Sequence, residues 1–190
     1  MTATETLTGG FAQPAEDAAR AFRAILDAMA RPGRIVRVAG AAAPAPASPA
    51  VAAALLTLAD GTTPLHFAGS HDTPALRDWL RFHTGAPLVG RDAAVFAPGD
   101  WAALQPLTDF SQGSAEYPDR SATLIVALDR LEPAGARLTG PGIDGEAHLS
   151  LPDIASFQAN ARLFPLGLDF IFTCGDRLAA MPRTTRVEAS

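Results

Sequence analysis

Between residues 14 and 29, apolar side chains recur at three- and four-residue steps. Ala15, Ala18, Ala19, Phe22, Leu26 and Met29 fall on one side of a 3.6-residue repeat. The pattern predicts an amphipathic helix with that side toward the core, stopped by Arg31-Pro32-Gly33. Ser48-Pro49 and Thr73-Pro74 each place a hydroxyl cap before a proline at the first helical position. They predict a second helix ending at Asp60-Gly61 and a third closed by Gly85, with Leu76, Trp79, Leu80 and His83 on one face. A fourth helix is predicted over 152–164, with Ile154, Phe157, Ala161 and Phe164 as its apolar set, and a short one over 98–106.

Strand signals fill the intervals, at 35–38, 64–68, 93–97 and 137–139. The run SATLIVAL (121–128) reads as the most buried strand. Segments 168–173 and 178–181 read as a hairpin about the Gly175-Asp176 turn. The segment 41–50 reads as a Pro/Ala connector and 107–119 as an exposed polar loop. The first ten residues lack a pattern and are expected to be disordered, leaving one domain over 11–188. Helices and strands interleave throughout, which is the pattern of an α/β fold, and the terminal hairpin makes its sheet mixed.

Composition narrows the chemistry. All fifteen basic residues are arginine. Without lysine this chain cannot form a pyridoxal-phosphate aldimine or supply a P-loop lysine. A single cysteine, Cys174, excludes an internal disulfide and fits a reducing cytoplasm. The net charge of −5 argues against nucleic-acid binding. No apolar run has membrane-spanning length, and the first twenty residues show no basic head with an apolar block, so neither a span nor a signal peptide is expected.

No complete catalytic set is visible. His66, His71, His83 and His148 share no metal-ligand spacing, and no second cysteine joins Cys174, so no metal site is expected. Asp169 lies inside the apolar run LGLDFIF. A carboxylate there is either paired with arginine or backbone donors, or it faces a functional surface. The segment MPRTTR supplies Arg183, Thr184 and Thr185 at a strand end. With the backbone amides of Thr139, Gly140 and Gly142 these would form an anion site; a partner contact or a solvated end would use the same residues.

GPGIDG (140–145) has the G-x-G-x-x-G spacing of a dinucleotide-binding turn. That turn needs a helix starting within it, so that the pyrophosphate meets the helix N-terminus. Here a proline follows the first glycine, and 144–150 has no helical face. The segment reads instead as a plain glycine turn.

The C-terminal third carries a longer signature. LTGPGI (138–143), followed by FPLGLDFIFTCGDRLAAMPRTTRVE (164–188), resembles the PhnH family, the H subunit of the bacterial carbon–phosphorus lyase system. FAQPAEDAARAFRAILDAMARPG (11–33), LLTLADGTTPL (55–65) and LRFHTGAPLV (80–89) are similar to the family's earlier segments, in order. The resemblance implies a three-layer α/β sandwich similar to the pyridoxal-phosphate-dependent transferase fold, without the cofactor. It implies a homodimer that joins the G, I and J subunits in phosphonate use, where ribose 5-triphosphate passes from ATP to an alkylphosphonate. It implies no activity for this subunit alone, no cofactor, and ATP or phosphonate reached only through the complex. The shared LTG-x-GI motif need not retain Gly145, which weakens the dinucleotide reading further.

Overall fold

The computed structural model describes residues 8–189. Of the ten residues expected to be disordered, 1–7 lie outside the described residues, and Gly10 pairs with Ala42 in a two-residue ladder of β1 (Gly10–Phe11) and β3 (Ala41–Ala42). The supposed connector after residue 40 therefore begins with a strand.

A five-stranded sheet forms the centre, in the order β2-β9-β8-β5-β4. The strands β4 (Phe96–Asp100), β5 (Thr123–Ala127) and β8 (Asp169–Cys174) are parallel. β9 (Arg177–Met181) turns back on β8 with Cys174 opposite Arg177, as the hairpin signal predicts, and β2 (Val36–Arg37) pairs antiparallel with β9. The mixed sheet is thus as expected. A second sheet has the order β10-β6-β7, from β10 (Arg186–Glu188), β6 (Ala136–Thr139) and β7 (Ala147–Leu149).

Alternation along the central strands divides the core in two. Ile125, Ile171, Leu178 and Ala180 face a cluster with the helices α1 (Pro14–Ala30), α2 (Pro49–Leu58) and α3 (Pro74–Thr84). Leu124, Val126, Phe170, Phe172, Ala179 and Met181 face the other way, onto Leu138, Leu149 and Val187 of the small sheet and Phe157 of α4 (Ile154–Ala161). Phe157 meets Phe170 edge-to-face at 4.9 Å and stacks obliquely on Trp101 at the same distance. Being covered on both faces, β5 needs the continuous apolar run that its sequence shows.

The caps are as read. Ser48 accepts from the Val51 N–H, Thr73 from the Leu76 N–H, and Gly85 ends α3 in the left-handed region at φ 70°. α2 is apolar all round and has Ala50 through Leu55 buried without a break.

Several expectations are corrected. On α1 the buried residues are Asp17, Ala21, Ile25 and Ala28. Ala15, Ala19, Phe22 and Leu26, read as the core side, are exposed. α1 has two apolar sides, and the sheet takes the smaller residues because they let the helix approach closely. Pro98 and Gly99 lie within β4 rather than opening a helix. An added Cβ at Gly99 would meet the Ala68 Cβ at 2.7 Å, so the strand and the neighbouring segment need that glycine to touch. That segment, 64–68, makes only an isolated bridge at Leu65, although the His66 and Ala68 N–H groups donate to Phe96 and Pro98. α4 stops at Ala161, which leaves Phe164 60% exposed. The polar stretch 107–119 is not simply exposed: Phe110 is buried, with the Arg91 guanidinium 5.5 Å over its ring.

Candidate functional site

The glycine turn joins β6 to β7, and no helix follows it. Gly142 sits at φ 82°, where an added Cβ would lie 2.0 Å from the Ala30 carbonyl oxygen at the end of α1. Its glycine is needed for close backbone approach to α1, and the pyrophosphate geometry of the dinucleotide fingerprint is absent.

The residues of the proposed anion site are only partly assembled. Thr139, Gly140, Arg183 and Thr184 border one hollow of about 640 Å³, together with Pro141, Ala161, Phe164 and Arg186. Thr185 lies behind it, buried, its Oγ1 without a hydrogen-bond partner and its N–H donated to Pro182. Gly142 borders a different hollow, with Arg31, Gly33 and Ile143. Pro141 has no N–H, and the Ile143 N–H donates to Gly140, so the turn does not present a row of free amides.

Arg183 is occupied. Its Nε and Nη2 donate to Asp169 at 3.1 and 2.6 Å, its Nη1 to the Pro118 carbonyl at 2.6 Å, and its Nη2 also to the Ser121 hydroxyl. Its own N–H donates to Asp169 at 2.8 Å. The guanidinium is only 13% exposed. Asp169 is therefore the paired carboxylate of the two alternatives left open by its position. The pair fastens β8 to the segment after β9 and to the 118–121 turn.

The cation free to act in the hollow is Arg186. It is exposed and, among the described residues, has no ionic partner. The signal that could have found it is strand alternation in Thr185-Arg186-Val187-Glu188, which points Thr185 and Val187 inward and Arg186 outward. The sequence shows Phe164 as apolar, but the helix predicted to carry it ends at Ala161.

A second polar cluster lies at the C-terminal end of β4. The Ser70 hydroxyl donates to Asp100 at 2.5 Å, and the Ser70 N–H donates to the same oxygen at 3.2 Å. His71 Nδ1 lies 3.4 Å from the Ser70 oxygen, while its Nε2 is buried without a partner. Burial holds the His71 imidazole below its ordinary pKa of 6.5, against the pull of Asp100. The carboxylate orients the serine, not the imidazole, so the order needed for a nucleophilic triad is not present. Cys174 contacts the Asp129 carbonyl at 3.4 Å and the Arg177 guanidinium at 3.8 Å, and among the described residues no histidine hydrogen-bonds to it. Among the described residues no group of three metal-ligating side chains converges, and no helix is long and apolar enough to cross a membrane.

The motif-bearing segments, LTGPGI in the β6–β7 hairpin and the run from Phe164 to Glu188, thus lie side by side through β6 and β10 and frame one hollow. Residues 9–188 match the family described as bacterial phosphonate metabolism protein (PhnH). The chain belongs to the PhnH family. It is 39% identical to the alpha-D-ribose 1-methylphosphonate 5-triphosphate synthase subunit PhnH of Rhizobium meliloti (strain 1021), over 99% of both chains. It is 34% identical to the putative C-P lyase subunit protein HtxG of Stutzerimonas stutzeri, over 95% of both.

Proposed function

We propose that this chain is an accessory subunit of the carbon–phosphorus lyase system in organic phosphonate catabolism. It works with partner subunits in the transfer of ribose 5-triphosphate from ATP to an alkylphosphonate, and it has no turnover of its own. The observation that carries this reading is the near-complete alignment with a relative named as a synthase subunit. The side-chain chemistry supports it: Arg183 is spent on Asp169, and the Ser70–His71–Asp100 grouping has its carboxylate on the serine and not on the imidazole. On this reading the protein is cytoplasmic and forms a homodimer that assembles with the G, I and J subunits. On the same reading the fold is a three-layer sandwich similar to the pyridoxal-phosphate transferases, a reading supported by helices on one face of the central sheet and α4 with the small sheet on the other.

Co-expression of the tagged chain with the G, I and J subunits tests this. A stoichiometric assembly by light scattering, active on ATP and methylphosphonate while the lone chain is silent, is the expected result. Turnover by the lone chain would overturn it.

One observation favours a second reading, in which the subunit presents an anionic ligand to a catalytic partner. The hollow holds an unpaired Arg186 and the Thr139 and Thr184 side chains beside the open ring of Phe164. Calorimetric titration of ATP and of methylphosphonate into the assembled complex is expected to show binding that Arg186→Ala weakens at least tenfold. Unchanged binding in that variant would remove this reading.

A further inference from the structure

The exposed side of α1 is built to meet itself. Ala15, Ala19, Phe22 and Leu26 form a continuous stripe, and Phe22 and Leu26 are 50% and 55% exposed. The stripe is graded, with small residues in its N-terminal half and large ones in its C-terminal half. One shoulder carries Glu16 and Arg23, which lie on the same flank at 100° per residue. Arg23 has no ionic partner among the described residues, and Glu16 is 69% exposed with only a 3.6 Å contact to Arg20. The opposite shoulder, through Ala18 and Met29, descends into the body of the protein.

We infer that α1 is the contact between two copies of this chain, packed antiparallel about a two-fold axis passing between Arg20 and Ala21. This rests on the homodimer reading above and names the surface that makes it. Under that symmetry Phe22 seats over the partner copy's small residue at position 19, and Leu26 over position 15, so each large side chain meets a small one. Like flanks face each other in an antiparallel pair, which brings Glu16 of each copy beside the free arginine at position 23 of the other. A parallel arrangement would set large against large and would place the charged shoulders of the two copies on opposite sides, out of each other's reach. A helix of 17 residues is about 25 Å long. That is a modest contact beside the ~800 Å² per partner of a stable interface, so the dimer dissociates on dilution.

Light scattering over a dilution series tests the surface, with far-UV dichroism to follow folding. The wild-type chain is expected to dimerise, and Phe22→Asp to be a folded monomer. Arg23→Glu is expected to weaken dimerisation at least tenfold, and the double variant Glu16→Arg/Arg23→Glu to restore it. Cross-linking fixes the register without depending on those charges. In a Cys174→Ser background, an oxidised mixture of Ala15→Cys and Leu26→Cys chains is expected to give the mixed disulfide. Neither chain alone should, because identical positions then lie about 16 Å apart along the axis. A wild-type chain monomeric at every concentration would overturn both the homodimer reading and this surface. A Phe22→Asp variant that dimerises normally, or an Ala15→Cys chain that cross-links with itself, would overturn the surface alone.

Discussion

Arg183 and Arg186 are three residues apart, yet they do different work. Arg183 is the centre of a knot whose other members are Asp169, Pro118 and Ser121. Removing the guanidinium from such a partly buried pair strands the Asp169 carboxylate and leaves the Pro118 and Ser121 oxygens without their donor. Arg183→Ala is expected to cost roughly 2–4 kcal/mol in denaturant unfolding. Arg183→Lys is expected to recover little, because an ammonium cannot reproduce the fork onto Asp169. Arg186→Ala, on an exposed strand position, is expected to leave stability within about 0.5 kcal/mol. The glycines of the turn differ in the same way. Gly142→Ala meets the Ala30 carbonyl and should lose more than about 3 kcal/mol. Gly145→Ala, with nothing within 4 Å, should lose only the ~1–2 kcal/mol of a left-handed alanine.

At the scale of elements, α4 is short and depends on its ends. Asp153 accepts from the Ala155 and Ser156 N–H groups at its N-terminus. Near its other end buried Asn160 clamps Leu168, donating to the carbonyl at 2.9 Å and accepting from the N–H at 2.8 Å. That clamp sets where β8 begins, and so where Asp169 meets Arg183. Asn160→Ala would leave both Leu168 groups unpaired in the core and is expected to cost about 2–3 kcal/mol. Hydrogen exchange should rise at Leu168, just before β8, sooner than at Phe172 within it. Loss of the Asp153 cap is expected to be milder, about 1 kcal/mol.

For the whole molecule, acid is the informative perturbation. His71 is buried and holds its imidazole neutral below pH 6.5, whereas the unfolded chain takes up a proton there. The unfolded state then binds more protons, so stability falls as pH drops from 6.5 toward the lowered folded value. His71→Gln is expected to flatten the dependence of unfolding on pH between about 7.5 and about 5.5. Asp17, Asp60 and Asp72 have lowered pKa values, chiefly through hydrogen bonds from Arg20, Thr62 and Arg77 respectively. Their contribution is present above the ordinary carboxylate value of 3.8 and is lost only in stronger acid. The two effects therefore separate on the pH axis.

Local chemistry was legible in the sequence because it is decided within a few residues. A hydroxyl one place before a proline caps a helix wherever that helix packs, and Gly175-Asp176 turns a hairpin through its own backbone. The α/β class, the buried run of β5 and the need to pair Asp169 followed from the same kind of reasoning, and the family followed from residues contiguous in the chain. Tertiary structure alone decided three things. α1 carries two apolar sides, and only the approach of α2 and β9 determines which is buried. The arginine that neutralises Asp169 is chosen by the β8–β9 register, which brings Arg183 onto it and turns Arg186 outward. Gly142 and Gly140 share a motif but serve different hollows, because Ala30, more than a hundred residues away in sequence, lies against one and Thr184 against the other. Alternation and periodicity fix how side chains are spaced along an element; which neighbour they meet depends on non-local packing, and that neighbour gives each charge its role.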